Sequence, residues 1–296
     1  MRVGRAPRTR AAIGALLALA LGAADAEADA TAAAPTRPWP LRGAAGTIEA
    51  RFVPPAGFHR LPAAPGSFAA FLRGLPLRPE GTPVLLFDGR PKGNQTAHVA
   101  VIDIDVGRRD LQQCADAVMR LRAEYLRSAG REDAICFRFT GGQDAPWSSW
   151  REGRRPAVHG DDVAWSAHGQ PDAGYASFRR YLDVVMSYAG TASLAKELVP
   201  VRDPRRVEPG DVYIRGGFPG HAIIVVDVAV AADGRRVLLA AQSYMPAQDP
   251  HVLRAPGSPH APWYEATADG ALVTPEWLFP PRSLRRFSDR RCEPPR

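Results

Sequence analysis

Alternation of apolar and polar residues predicts several strands along the chain. Residues 98–106 read HVAVIDIDV, and this period of two is typical of a strand with one face in water. Residues 134–140 alternate in the same way, and residues 237–243, VLLAAQS, form a third apolar run. A weaker alternation over residues 48–58 adds a further strand in the N-terminal part. These runs favour an antiparallel sheet.

Apolar residues at spacings of three and four predict two amphipathic helices. The first runs from Asp110, the expected N-cap, to about Arg127, and the second covers residues 175–189. Residues 141–170 lie between them, are rich in Gly, Pro and Trp, and predict long loops with a short strand near 163–165. Helices placed between the strand segments indicate an α+β fold.

Residues 210–227, GDVYIRGGFPGHAIIVVD, carry the candidate chemistry. They predict a strand opened by a Gly-Asp turn, a glycine-rich hairpin, and a second strand that starts with His221. A histidine at the mouth of a buried strand is suited to the role of a general base. The same pattern also fits a structural hairpin in which the histidine bonds a carbonyl oxygen.

The N-terminus has the three parts of a secretory signal peptide, which we expect to cover residues 1–26. Residues 1–10 contain four arginines and no acid, residues 11–24 are apolar, and small residues follow. The apolar run is shorter than the about 20 residues that span a bilayer. We therefore expect an exported protein, periplasmic or extracellular, without stable membrane insertion after signal cleavage.

The rest of the chain is expected to fold as one domain. Residues 27–46 predict a linker, 47–288 a single α+β domain, and 289–296 a tail. Within the domain, 47–170 form an N-terminal part and 171–288 the part with the histidine strand. The formal net charge of +7 comes from scattered arginines, so no nucleic-acid partner is expected for an exported chain.

No cofactor and no metal are predicted, although one loop contains suitable ligand types. His159, Asp161, Asp162 and His168 match no compact ligand spacing, and a solvated loop is the favoured interpretation. The three cysteines are Cys114, Cys136 and Cys292. Either Cys114 and Cys136 form a disulfide or at least one is a free thiol, while Cys292 lies in the tail and is expected to be peripheral.

The order of helix, Gly-Asp strand, glycine hairpin, His strand and a strand that ends in Gln242 resembles the exported NlpC-type and CHAP amidases. These are papain-like cysteine hydrolases that cleave the peptides of the cell wall. The resemblance covers residues 175–248, implies a papain-like C-terminal half, and gives His221 the role of base and Gln242 or Ser243 the role of its orienting partner. Where that family has its cysteine, this chain has Ser177, and the helical cysteine upstream is Cys114.

Most of the chain is also similar to an uncharacterised bacterial family, domain of unknown function 4846. The similarity lies in residues 111–116 (LQQCAD), 120–125 (RLRAEY), the hairpin 210–227, and 242–248 (QSYMPAQ). This resemblance brings no known activity.

Together these patterns predict an exported cysteine hydrolase that cleaves an amide bond of the cell envelope, in a polymer or peptide. Cys114 would attack, His221 would take its proton, Gln242 would fix the imidazole tautomer, and Gln112 or Gln113 would donate an amide N–H to the oxyanion. The residues expected to contact substrate are Gln113, Ser243, Gln248, His251 and Trp150. The alternative is a non-catalytic envelope-binding protein on a degenerate papain-like scaffold, in which Cys114 is a core thiol.

Overall fold

The computed structural model describes residues 1, 4, 37–160, 162–288 and 292. The predicted signal peptide therefore lies outside the described residues except at two positions, and so does most of the predicted tail. The chain divides into two compact units, Met1–Ala34 and Pro35–Arg296, and the fold given below is that of the second unit.

The described residues form six α-helices and fifteen short or medium strands. The helices are α1 (Ile48–Arg51), α2 (Phe68–Arg73), α3 (Cys114–Ser128), α4 (Trp147–Arg151), α5 (Tyr175–Tyr188) and α6 (Thr191–Glu197). The strands of the N-terminal part are β1 (Phe58–Arg60), β2 (His98–Val101), β3 (Cys136–Arg138), β4 (Asp144–Pro146), β5 (Arg155–His159) and β6 (Asp162–Ser166). Those of the C-terminal part are β7 (Val199–Pro200), β8 (Val212–Arg215), β9 (His221–Ala231), β10 (Arg236–Gln242), β11 (His251–Leu253), β12 (Tyr264–Glu265), β13 (Leu272–Val273), β14 (Leu278–Phe279) and β15 (Leu284–Arg286).

A mixed α+β fold is built on one antiparallel sheet, as the sequence predicts. Its strand order is β2-β11-β10-β9-β8-β15-β7, with β1 added to β9 and β12 added to β10. Three separate two-stranded sheets, β3-β4, β5-β6 and β13-β14, complete the described strands. The predicted hairpin is present as β8 and β9, in which Arg215 pairs with His221.

The sheet separates two apolar clusters because its central strands alternate in side-chain direction. On β9, Ala222, Ile224 and Val226 belong to the larger cluster, which includes the apolar side of α3. Ile223 and Val225 face a smaller cluster with Phe279 of β14. His221 lies two residues before Ile223 on β9, and Gln242 lies two residues after Ala240 on β10. Both side chains therefore leave the sheet on the face of the smaller cluster, opposite to α3.

An irregularity in β9 changes which residues face the helices. The pairing with β10 shifts register between Leu239 and Ala240, so that Asp227 pairs with Leu239 and Val225 with Ala240. One residue, Val226, is extra on β9, which is the arrangement of a β-bulge. After the bulge Ala229 faces the larger cluster and Val228 the smaller one. Asp227 is thereby turned towards the helices, where it meets the guanidinium of Arg73 on α2.

Several predicted elements differ in length from those observed. The strand predicted over 98–106 is regular only over β2, after which Ile102 forms an isolated bridge to Leu77. In the segment 141–170 the short strand predicted near 163–165 is present as β6, but β4, α4 and β5 also form there, where loops were predicted. These elements are short enough that tertiary packing, not local periodicity, stabilises them. Trp147 and Trp150 are both buried on α4.

The cysteine pairing corrects one predicted alternative. Cys136 forms a disulfide with Cys292, with a distance of 5.8 Å between the two Cα atoms, and Cys114 is a free thiol. The Cys114–Cys136 pairing is therefore wrong, and Cys292 is not peripheral. No sequence pattern distinguishes these pairings, because the choice depends on which chain segments meet in space.

Candidate functional site

Helix α3 begins at Cys114, and its N-cap is Gln113, three residues later than the N-cap predicted at Asp110. Asp110 does not cap the helix; its Oδ1 accepts from the backbone N–H of Ala247 at 2.7 Å and from Gln113 Nε2 at 2.9 Å. The carboxylate of Asp116 instead accepts from the backbone N–H of Gln113 at 3.0 Å. Cys114 is thus the first helical residue, where backbone N–H groups lack intrahelical acceptors and the helix dipole is positive.

The segment before α3 lies beside the start of β9. The regular pairing of β10 with β9 ends at Ala241 and Ile224. Beyond that point Ser243 Oγ lies 3.1 Å from the carbonyl oxygen of Gln112, and the backbone N–H of Ala222 is close enough to the Cys114 sulfur to lower the pKa of the thiol. The nucleophile candidate therefore lies against the residue that directly follows His221.

His221 is buried, with 2% of its surface exposed, in a pocket of aromatic rings. Its ring centroid lies 4.7 Å from that of Tyr244, 5.1 Å from Trp277 and 5.8 Å from Phe279. Its Nε2 lies 2.9 Å from Gln242 Oε1. Since a carbonyl oxygen only accepts, Nε2 carries the proton and Nδ1 keeps the lone pair.

Burial favours the neutral forms of both the Cys114 thiol and the His221 imidazole. It lowers the pKa of His221 to about 4, although the hydrogen bond to Gln242 opposes this shift. Burial also raises the pKa of the Cys114 thiol, against the effect of the Ala222 N–H. Within the described residues the thiol makes no hydrogen bond to the imidazole. Catalytic hydrogen bonds are often long in free enzymes and shorten when substrate binds.

The side-chain amide of Gln242 is held by three partners. Its Oε1 accepts from His221, and its Nε2 donates to Glu276 Oε2 at 2.8 Å and to His251 Nε2 at 3.3 Å. His251 can accept there because its Nδ1–H donates to the carbonyl oxygen of Asp249 at 2.8 Å. Burial lowers the pKa of His251 to about 3, so this ring is neutral at physiological pH.

Glu276 is held in turn by two residues of the segment before β2. The ammonium of Lys92 forms an ion pair with Glu276 Oε2, and Asn94 Nδ2 donates to Glu276 Oε1 at 3.4 Å. Burial lowers the pKa of Lys92, whereas its contact with Glu276 raises it. The Lys92 ammonium also lies 5.9 Å from the ring centroid of Tyr244, within the range of a cation–π contact.

The structure brings most of the predicted substrate-contacting residues to this region. His251 and Ser243 are described above, and Gln113 is partly buried and directly precedes Cys114. Gln248 is buried and donates from Nε2 to the carbonyl oxygen of Pro246 at 3.2 Å. Trp150 lies elsewhere.

Trp150 belongs to the contact between α4 and α5. Its indole N–H donates to Ser177 Oγ at 3.1 Å, and its ring packs on Tyr181 with centroids 6.0 Å apart. The guanidinium of Arg155 covers the ring at 4.1 Å. Ser177, the position at which the amidase resemblance expects a nucleophile, is fully buried in this contact.

Gln112 has one end of its amide fixed and the other end without a partner. Its Oε1 accepts from Arg120 Nη1 at 2.7 Å, and the residue is buried. Among the described residues its Nε2 has no acceptor. A buried donor without an acceptor is unfavourable unless a ligand or water satisfies it. This amide lies two residues before Cys114, and Gln113, the other predicted donor, is already bonded to Asp110.

Sequence reasoning missed Lys92, Tyr244, Glu276 and Trp277. None lies in a periodic segment, and they come from three loops that are far apart in the chain. One signal was present for Lys92, since it is one of only two lysines in a chain with 38 basic residues. A lysine retained amid so many arginines indicates a position where a compact cation is required.

His159 and Asp162 are cross-strand partners at the end of the β5–β6 hairpin, but among the described residues of this loop they form no group of three potential ligands. Elsewhere in the described residues, the potential ligand atoms of Cys136, Asp144 and Cys292 lie close together, but the two cysteines are joined in a disulfide. They offer no thiolate to a metal. Asp161 lies outside the described residues.

Comparison with known proteins adds a family but no activity. Among the described residues, no helix combines the length and apolarity needed to cross a membrane. No curated protein and no solved structure matches the chain. A family model does match residues 48–286, which is most of the chain and contains every residue of the site described above. The chain therefore belongs to the family described as domain of unknown function (4846).

Proposed function

We propose that this protein is an exported cysteine hydrolase that cleaves an amide bond of the cell envelope, similar in its C-terminal half to the papain-like NlpC-type and CHAP amidases. The observation that carries the proposal is the position of Cys114. Cys114 is the first residue of helix α3, and its sulfur lies close to the backbone N–H of Ala222. Ala222 directly follows His221, whose ring is hydrogen-bonded to Gln242.

The two helices before the hairpin have different roles in this proposal. The resemblance alone would place the nucleophile near Ser177 on α5, but that hydroxyl is buried against Trp150. Helix α3 packs on β9, and its N-terminal end lies at the site. The nucleophile helix is then α3, and residues 129–198 are an insertion between it and the histidine strand.

In the proposed reaction the Cys114 sulfur attacks the carbonyl carbon of the substrate amide, and the thiol proton passes to His221 Nδ1. The protonated imidazole then gives this proton to the leaving nitrogen, and the C–N bond breaks to leave a thioester. Water then attacks the thioester carbonyl while His221 takes its proton, the C–S bond breaks, and the imidazolium returns the proton to the Cys114 sulfur. Gln242 keeps the proton on Nε2 throughout, so the reactive lone pair stays on Nδ1.

The oxyanion formed on attack needs hydrogen-bond donors that are in place beforehand. The N-terminus of α3 supplies backbone N–H groups, and Gln112 supplies a side-chain N–H that lacks an acceptor. Because Arg120 holds the other end of the Gln112 amide, this donor is fixed in orientation. Such preorganised donors are worth about 10²–10³ in kcat each.

Exposed apolar side chains lie in the loops that flank the site. Phe218, three residues before His221, is 90% exposed, and Met245, which follows Tyr244, is 65% exposed. Exposed apolar residues beside a polar cleft are typical of a surface that binds the body of a ligand. They support a substrate with an apolar part, such as a peptide.

The direct test is digestion of purified cell-wall peptides and muropeptides by the mature protein, with the products identified by mass spectrometry. We expect a new amine and a new carboxyl end at one amide bond. An electrophilic peptide probe should add its mass to Cys114, because Cys136 and Cys292 are paired. Binding of these peptides without cleavage or labelling would instead identify the protein as an envelope-binding module.

The acid limb of the pH profile is expected near pH 4. His221 must be neutral to accept the thiol proton, and burial lowers its pKa to about 4. As pH falls through this value the imidazole becomes protonated and kcat/KM decreases. The measurement is kcat/KM between pH 3 and pH 8, with circular dichroism at each pH to separate inactivation from unfolding. A limb near the ordinary histidine value of about 6.5 would contradict the assignment.

A further inference from the structure

A buried ion pair lies behind the glutamine that contacts His221, and the proposed triad does not use it. Lys92 and Glu276 belong to different loops and are both largely buried, with side-chain exposures of 7% and 13%. Burying two charges costs free energy, and such a pair is weak evidence for stability. The hydrogen bond between Gln242 and Glu276 therefore calls for another explanation.

The hydrogen bonds around Gln242 permit only one orientation of its amide. A carboxylate only accepts, so the Gln242 atom that lies 2.8 Å from Glu276 Oε2 is the NH₂ group. His251 favours the same orientation through a longer contact of 3.3 Å, because its Nδ1–H is used by the Asp249 carbonyl and its Nε2 can only accept. The oxygen of the amide must then face His221.

The fixed amide determines the tautomer of His221 in turn. An oxygen 2.9 Å from Nε2 requires a proton on that nitrogen and leaves the lone pair on Nδ1. If the amide were reversed, its NH₂ group would face Nε2, the proton would move to Nδ1, and Nδ1 could no longer accept the Cys114 proton. A wrong tautomer is costly: in the serine triad it lowers kcat by about 10⁴.

We propose that Glu276, held by Lys92, is a positioning residue that selects the Nε2–H tautomer of His221 through the amide of Gln242. This role rests on the proposed function only in its effect on turnover, because the tautomer itself exists whether or not the protein is an enzyme. Glu276 reaches the imidazole by hydrogen bonds only through Gln242, and its charge also raises the pKa of His221 against the effect of burial.

The test is a long-range ¹H–¹⁵N correlation spectrum of the histidine rings at neutral pH, with His221 assigned from a His221→Gln variant. In the wild type we expect the Nε2–H tautomer. The double variant Glu276→Leu/Lys92→Met removes both charges together, which avoids leaving a lone buried cation. We expect it to give a second set of His221 signals from the Nδ1–H tautomer and a kcat about 10–100-fold lower, as when the outer partners of a functional histidine are removed.

Two further variants separate this role from a general effect on the fold. Glu276→Gln keeps an oxygen that can accept from both Lys92 and Gln242, so it should retain the wild-type tautomer. Glu265→Ala removes an exposed glutamate paired with His260 and should change neither tautomer nor activity. Glu276→Met/Lys92→Leu, which also removes both charges together, provides the comparison if the first double variant does not fold.

A folded double variant with only Nε2–H signals would overturn the inference, and so would Nδ1–H signals in the wild type. These results would leave the hydrolase proposal intact if Cys114 proved essential. Conversely, absence of turnover in the wild type would remove the hydrolase proposal, while the spectra would still decide the role of Glu276.

Discussion

Replacing Cys114 with alanine is expected to reduce the rate of amide cleavage by about 10⁴-fold or more, because no other residue can form the thioester. The sulfur lies at the first position of α3 and receives the N–H of Ala222, but it is not in a disulfide. Alanine at this position keeps the helix start and deletes only the thiol. The thermal midpoint should therefore change little. Initial rates with a cell-wall peptide, followed by release of the new amine, measure the effect.

The matched control for Cys114→Ala is Ser177→Ala. Ser177 is the position at which the amidase resemblance expects the nucleophile, but its hydroxyl accepts from the Trp150 indole inside the core. Removing it should lower stability by about 1–3 kcal/mol, the cost of a buried donor left without a partner, and leave kcat unchanged. If the two variants exchanged these phenotypes, the nucleophile would belong to α5 and the role of Cys114 would be structural.

Replacing Asp227 with alanine is expected to lower the free energy of unfolding by about 3–5 kcal/mol, the usual loss when one partner of a buried charge network is removed. The carboxylate is fully buried, and it accepts from Arg73 Nε at 2.6 Å and Arg60 Nε at 2.7 Å. It also accepts from the backbone N–H of Val228 at 2.8 Å, next to the β-bulge. Without it the guanidinium of Arg73, itself buried, loses its counter-charge. Urea denaturation followed by circular dichroism measures the change.

The control for Asp227→Ala is Asp233→Ala, in the turn that follows the same strand. Asp233 also pairs with an arginine, Arg235, but both side chains are more than half exposed. Water replaces the partner in an exposed pair, so this variant should unfold at nearly the wild-type urea concentration. A similar loss in both variants would mean that burial does not determine the contribution of Asp227. Peptide cleavage at low temperature should be unchanged in either variant while it remains folded.

The sequence predicted the elements in which the pattern of apolar residues repeats over several helical turns or along a whole strand. Helix α5 was expected over 175–189 and is observed as Tyr175–Tyr188, and the hairpin of β8 and β9 starts its second strand at His221 as predicted. Residues Ile135, Phe137 and Phe139 are all buried, as their alternation indicates. Long periodic segments are predictable because each residue gives the same local evidence.

The start of α3 was not predictable in the same way. Asp110 is a good N-cap by residue type, yet its carboxylate bonds the backbone of Ala247, which lies far along the chain. A tertiary contact thus competes with the local cap and moves the helix start to Cys114. This shift of three residues brings the thiol from within the first two turns of the predicted helix to its first position, at the positive end of the helix dipole.

The sequence by itself determined the type of fold, the histidine at the start of β9 and the glutamine at the end of β10. These follow from alternation, turn residues and a recognisable order of elements. Only the tertiary structure decided that Cys114 is free, that it lies beside Ala222, and that Glu276 and Lys92 hold the amide of Gln242. The physical reason is that hydrogen bonds and ion pairs between loops depend on distance in space, whereas periodicity reports only the residues of one segment.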